Sequence, residues 1–227
     1  MRHRWDITPA EAIALQAELA PRVIEAPLAG PVRTVAGVDC AFREAGRRGF
    51  RTGRTVLAAA VLLDARTMER IAAAHVIQPC HFPYVPGLLS FREAPAAIAA
   101  VNRLPARPDL LLCDGQGVAH PRGLGLASHV GLWLEVPTIG VAKSRLCGEH
   151  RPPGARRGCR TQLRLDGRVV GAVVRTRTGV RPLFVSVGHR VTLVEAVRWT
   201  LRCGRGVRLP EPTRRAHQAV TALKRGT

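Results

Sequence analysis

The sequence predicts an α/β protein with a mixed central sheet flanked by helices, in a single domain spanning residues 1–227. Three observations carry this. Apolar runs of strand length come in series near the N-terminus and then alternate with helix-length segments, the order expected of a sheet covered by helices. The length of 227 residues suits one domain of that class, which commonly runs to roughly 200–250 residues. Hydrophobic residues make up 46% of the chain, enough for a full core, and no repeat or long linker divides it.

The first element is a helix. Thr8 can cap it, Glu11 stands three residues on as in a capping box, and Ala, Ile and Leu recur at helical spacing. Pro21 and the stretch from Pro27 to Pro31 mark a loop. Three strands follow, Thr34–Phe42 (TVAGVDCAF), Thr55–Asp64 (TVLAAAVLLD) and Ile71–Ile77 (IAAAHVI). Their connections, the Gly- and Arg-rich Arg43–Arg54 and the short Ala65–Glu69, suit an antiparallel meander. Pro79–Gly87 (PCHFPYVPG) is too rich in proline for regular structure, and Leu88–Leu104 is helical by periodicity. Pro108–Cys113 (PDLLLC) is a short apolar run ending at Asp114-Gly115, the pattern of a strand buried on both faces. Ala127–Leu134 reads as a helix and Thr138–Ala142 as another buried strand. Glu149–Gly158, with its Pro, Gly and Arg, reads as a mobile loop. Cys159–Thr176 and Pro182–Val187 give a hairpin and a further strand. Thr192–Cys203 is a helix with Thr192 and Glu195 at capping-box spacing, and the tail is helical from about Thr213.

Charge points to the class of partner. Lys+Arg is 35 against 16 Asp+Glu, a net charge of +19. Only Lys143 and Lys224 are lysine, so codon bias accounts for the choice of arginine, but it does not account for a twofold excess of bases over acids. A polyanion is the natural partner, because each cation set against a phosphate releases a condensed counterion. The six cysteines (Cys40, Cys80, Cys113, Cys147, Cys159, Cys203) form no CxxC pair, which argues against zinc. The N-terminal twenty residues lack the apolar core of a signal peptide, and no run reaches the ~20 apolar residues of a membrane span. A cytoplasmic protein is expected, and nothing suggests a dimer seam, so a monomer is expected too.

Acids stand where acids are costly. Asp39 lies inside VAGVDCAF and Asp114 follows LLLC directly. A carboxylate in such a setting costs several kcal/mol if ionised and unpaired, so each needs a cation, a metal or several donors. Singly, a strand-end Asp is a turn cap as readily as a ligand. Together, at the ends of two core strands, they match a divalent-metal scaffold, and oxygen ligands favour magnesium or manganese over zinc. Glu93, in LLSFREAP, reads more weakly, since a surface Glu near a helix start has a dipole to favour it. His217, in PTRRAHQAV, is by itself an ordinary helix histidine. Lys143 is sharper: it follows an apolar strand in a chain that otherwise writes arginine, so a compact ammonium is required there or it is a lone lysine in solvent. A lysine near two carboxylates suits phosphodiester cleavage, where developing negative charge needs stabilising. DGQGVAHPRGLG (Asp114–Gly125) is a candidate ligand loop. Tyr84, the single tyrosine, is held stiffly between Pro83 and Pro86, either as a wedge for a base stack or as surface packing.

Six blocks occur together: GVDCAF, FPYVPGLLSFRE, LLLCDGQGVAHPRGLGLASHVGL, PTIGVAKSRL, FVSVGHRV and RLPEPTRRAH. In this order they resemble the endonuclease V family from about Thr34 to His217. The resemblance implies a ribonuclease H-like fold with the acids gathered at the centre of the sheet. It implies that Asp39, Glu93 and Asp114 hold a divalent metal, with His217 nearby and Lys143 beside the scissile phosphate. Pro83, Tyr84, Val85 and Pro86 would form the wedge that fills the gap left by a flipped base. Leu89, Gly115, Gly117 and His120 would line the pocket for that base. The activity implied is Mg²⁺-dependent, with Mn²⁺ able to substitute, on DNA containing deaminated bases such as deoxyinosine. The second phosphodiester 3′ to the lesion would be cut, leaving 3′-hydroxyl and 5′-phosphate ends. Gln116 departs from the family pattern, where Asn or His is usual, but backbone donors from its flanking glycines are expected to remain available. Two alternatives stay open: a nuclease of the same fold acting on inosine-containing RNA or branched DNA, and a basic nucleic-acid-binding module whose acids are structural.

Overall fold

A computed structural model of the chain describes residues 3–43 and 54–226. The local signals act as written. Thr8 and Glu11 cap each other's backbone N–H groups at the start of α1 (Pro9–Leu19), and Thr192 and Glu195 do the same at α4 (Leu193–Arg202). The Ala-rich runs are strands: β1 (Thr34–Arg43), β2 (Arg54–Asp64) and β3 (Arg70–Cys80) form the antiparallel meander. The turn expected between β1 and β2 lies, over residues 44–53, outside the described residues. β4 (Leu110–Cys113) and β5 (Thr138–Ala142) run parallel to β1. β6 (Arg160–Leu165), β7 (Arg168–Val174) and β8 (Leu183–His189) complete a mixed eight-stranded sheet of order β3-β2-β1-β4-β5-β8-β7-β6.

Leu110, Leu111 and Leu112 are fully buried because the sheet is covered on both faces. Burying each such leucine stabilises by roughly 1.5–3 kcal/mol. On one face Ala36, Ala58, Leu111 and Cys113 pack beneath α2 (Leu89–Asn102) and α3 (Leu126–Leu134). On the other, Val35, Leu110, Leu112, Ile139 and Val185 pack beneath α4 and α5 (Glu211–Gly226). Among the described residues no helix is long and apolar enough to cross a membrane. All six cysteines are free, and Cys113 and Cys203 are buried.

Several boundaries differ from expectation, and at three of them the physical reason is visible. β1 runs one residue past the expected Phe42, to Arg43, because Arg43 still pairs with Thr55 of β2, and Asp39 therefore lies four residues before the strand's end. β3 takes in Gln78, Pro79 and Cys80, because an edge strand tolerates a residue without an N–H. α5 begins at Glu211, with Pro212 in its first turn, where a missing N–H breaks no helical bond. The Glu149–Gly158 segment, expected to be a mobile loop, is strapped down. Glu149 exchanges backbone hydrogen bonds with Arg164, and the Arg175 guanidinium donates to the Pro153 and Gly154 carbonyls.

Candidate active site

Strand register builds the site. Val38 of β1 stands opposite Cys113, the last residue of parallel β4, so Asp39 and Asp114 emerge side by side. The Asp114 N–H extends the ladder by donating to the Val38 carbonyl at 3.1 Å. β5 pairs with β4 through Cys113 and Gly140, and Lys143, just past its end, reaches back to form an ion pair with Asp114. The fourth contributor comes from the far end of the chain. A Cβ on Gly37 would lie 2.0 Å from the Pro212 carbonyl oxygen, so only glycine lets α5 seat on β1. Two residues further along β1 on the same face, Asp39 Oδ2 meets His217 Nδ1 at 2.7 Å.

Electrostatics follow from this crowding. Burial, then the neighbouring Asp114, raises the Asp39 pKa, while His217, Lys143 and the Cys40 N–H act in the opposite direction. Glu93 is only 8% exposed, so the surface-glutamate reading of it fails. Its pKa is pushed up to about 8 by burial first, then by Asp39 and Asp114, with Arg92 partly offsetting them. Three carboxylates converging in a buried place, with one lysine and one histidine in contact, are short of positive charge. A divalent cation fits that deficit. Ligand atoms of Asp39, Asp114 and His217 all lie within 4.8 Å of one another, an oxygen-rich donor set. Glu93 stands outside that group and is tied to it by charge.

The loop from Pro83 to Pro86 leaves Tyr84 66% exposed, with Leu89 half-exposed at the start of α2. Its C-terminal foot is anchored at the Gly87 carbonyl. That oxygen accepts from Gln16 Nε2 at 3.0 Å, His120 Nε2 at 2.9 Å and Arg122 Nη2 at 2.8 Å. His120 Nδ1 accepts the Arg122 N–H, so Nε2 carries the proton, and burial drives its pKa down to about 4. The side chain lies in a structural node joining three segments. Gly117 is likewise dictated by packing, since a Cβ there would sit 1.9 Å from the Val187 carbonyl oxygen. Its N–H donates to Ser186 Oγ and that of Gly115 to the Cys113 carbonyl, which corrects the expectation that these donors are left for a ligand. Gln116 is buried; its Nε2 donates to the Ser144 carbonyl at 2.9 Å and its Oε1 has no partner.

Sequence reading missed three supporting residues. Gln16 sits on the buried stripe of α1 between Ala12 and Leu19, a polar intrusion that could have been noticed. Arg122 completes the Gly87 node, and Arg208 donates to the Lys143 carbonyl at 2.6 Å, steadying the lysine's backbone. In a chain so rich in arginine, no signal sets those two apart.

A mixed α/β sheet carrying buried acids beside a lysine, at the level where its parallel strands end, defines a metal-dependent nuclease. The particular family is equally plain: the model described as Endonuclease V matches residues 17–218, and the chain belongs to the endonuclease V family. The endonuclease V of Dehalococcoides mccartyi is 47% identical over 221 residues, 97% of this chain and 96% of that one. The crystal structure of endonuclease V from Streptomyces avermitilis matches with a TM-score of 0.89 at 46% identity, covering 98% of this chain and 96% of that one. Endonuclease V of Ciona intestinalis, solved with a 24mer DNA containing an inosine followed by a ribo-adenosine, matches with a TM-score of 0.79. At 24% identity, over 96% of this chain and 98% of that one, the likeness speaks for the fold.

Proposed function

We propose that this nuclease acts on DNA containing deaminated bases, deoxyinosine foremost, and hydrolyses the second phosphodiester 3′ to the lesion. The products are a 3′-hydroxyl and a 5′-phosphate, and the base stays on its sugar. The observation that carries this reading is the convergence of the largely buried carboxylates of Asp39, Asp114 and Glu93 with the exposed Lys143 and His217 at one place on a strongly basic chain. Magnesium, or manganese in its stead, is the proposed metal; when bound it would activate water and stabilise the leaving oxygen. Asp39 and Asp114 are the proposed ligands, with Glu93 completing their negative field. His217, hydrogen-bonded to Asp39, fixes that carboxylate's orientation. Lys143 sets a compact positive charge where the phosphate must sit, held by Asp114 and steadied by Arg208.

Tyr84, gripped by Pro83 and Pro86 with Val85 behind it, is the proposed wedge. Its exposure and the anchored Gly87 carbonyl give a stiff aromatic tip on a fixed base. Leu89 and the Gly115–His120 loop would line the place of the flipped base. The protein is expected to act as a monomer in the cytoplasm. A second substrate, inosine-containing RNA, is favoured by one observation: the Ciona intestinalis relative was crystallised with a ribonucleotide directly after the inosine.

The deciding experiment uses a labelled duplex with one deoxyinosine, a matched undamaged duplex, and a single-inosine RNA of the same sequence. Each is incubated with wild type or Asp39→Ala, with magnesium or EDTA, and resolved on a sequencing gel. The expected result is a nick one nucleotide beyond the lesion, lost with EDTA and with Asp39→Ala. RNA cleavage alone would move the substrate, and no cleavage by a folded protein would overturn the catalytic reading.

A further inference from the structure

We propose that the cavity at the N-terminal foot of the Pro83–Pro86 loop holds one nucleobase of the strand that the loop displaces, stacked on an aromatic ring and hydrogen-bonded to Arg92. This rests on the reading of Tyr84 as a wedge. The cavity has a volume of about 640 Å³, and its walls include Trp5, Gln78, His81, Phe82, Phe91 and Arg92. Its lining mixes aromatic and proline surface with the polar Asp6, Gln78, His81 and Arg92, and its size suits a small flat ligand. Phe82 and Phe91 stack with ring centroids 5.4 Å apart and planes at 26°, and Trp5 meets Phe91 edge-on. Phe82 and Phe91 are buried against each other, so the partly exposed Trp5 is the ring open to a base, and any base can stack on it because every base has a π-face.

Arg92 points to what completes the cavity. It is only 4% exposed, its Nε has no hydrogen-bond acceptor, and among the described residues no carboxylate forms an ion pair with it. The guanidinium lies instead between two rings, 4.4 Å from the Phe42 centroid and 5.5 Å from that of Tyr84. A buried donor without an acceptor is costly, and the carbonyl or ring nitrogen of a base would satisfy it. An unpaired donor beside an aromatic wall matches the edge and face of a nucleobase.

Position identifies the strand. Pro83 belongs both to the wedge and to the cavity wall, while Leu89 and His120 gather at the other foot, around Gly87. A wedge filling the gap of a flipped base leaves the opposing base without a partner, and a stacked refuge would lower the cost of opening the duplex. The Arg92–Tyr84 contact couples the refuge to the wedge itself.

The test measures binding of the full chain, in EDTA to keep strands intact, by fluorescence anisotropy on three labelled ligands. These are a deoxyinosine duplex with cytosine opposite, the same duplex with an abasic site opposite, and the lesion-bearing single strand. Gln78→Trp, which fills the cavity from its rim on β3, and Arg92→Met are each expected to weaken the first ligand about tenfold, the scale of one lost base stack. Binding of the other two ligands is expected to stay unchanged. Losses of equal size on all three would overturn the proposal, as would a loss retained on the abasic duplex, which would mean a phosphate occupies the cavity. Should Arg92→Met fail to fold, Gln78→Trp decides alone. Tyr84→Ala, run alongside, reports the wedge separately: equal losses on duplex and single strand would sink the wedge, whereas the cavity is judged on cytosine against abasic site.

Discussion

At the scale of single residues, chemistry is decided by who the neighbours are. Lys143 keeps 38% of its side chain exposed, yet its ammonium is committed to Asp114 and its carbonyl to Arg208. A point-like ammonium fits between a carboxylate and a phosphate; a planar guanidinium of the same charge would displace one of them. Lys143→Arg is therefore expected to lose turnover by about a hundredfold, the scale of one misplaced electrostatic donor, with binding little changed. Single-turnover nicking set beside anisotropy measures both, and near-normal turnover would return Lys143 to the role of a solvated surface cation. Lys143 and the two aspartates were legible because each broke the local habit of the chain. Glu93 and His217 were reached only through the family resemblance, because nothing in LLSFREAP or PTRRAHQAV by itself distinguishes a site residue from an ordinary helix residue.

At the scale of elements, the site depends on how closely backbones approach. α5 brings His217 to Asp39 only because β1 carries Gly37 beneath Pro212. Gly37→Ala would force helix and strand apart, and overpacking of this kind costs about 1–3 kcal/mol. The expected outcome is a lower urea midpoint together with a loss of nicking at temperatures where the variant is still folded. Full activity in a destabilised protein would separate α5 packing from the site. Glycine also lets the Asp114–Gly125 loop settle against its neighbours, since a Cβ on Gly140 would lie 2.3 Å from the Gly117 nitrogen. The glycines of that loop suggested ligand contact to a sequence reader. For Gly117 the tertiary reason is packing against β8, and no one-dimensional pattern separates those two demands.

At the scale of the whole molecule, buried histidines link stability to pH. Burial lowers the pKa of His120 to about 4, of His129 to about 3 and of His189 to about 4. The unfolded chain takes up these protons near the ordinary histidine value of roughly 6.5, and the folded chain does not until lower pH. Their contribution is thus complete above that value and is lost as pH falls towards 4. Asp39 and Glu93, with raised pKa values, act in the opposite sense, so the contrast between wild type and one variant is the clean measurement. The destabilisation caused by His120→Gln, read from urea midpoints, is expected to be largest at pH 7 and to shrink between pH 6.5 and 4. A gap independent of pH would remove His120 from the linkage.

The order and type of nearly every element, the capping boxes at Thr8 and Thr192, the buried character of Leu110–Cys113 and the demand for a polyanionic partner were legible in the chain before any fold was known. These are local or compositional properties: periodicity, caps and charge are written in neighbouring residues and need no fold to be read. It took the packed fold to show that Asp39 and Asp114 emerge side by side, that Glu93 is buried, and that Gln16, Arg122 and Arg208 hold the loops that carry Tyr84 and Lys143. Each of these depends on contacts between segments far apart in the chain. Burial and hydrogen-bond partnership are properties of a pair of elements, and a pair acquires its geometry when the sheet register and helix packing are set.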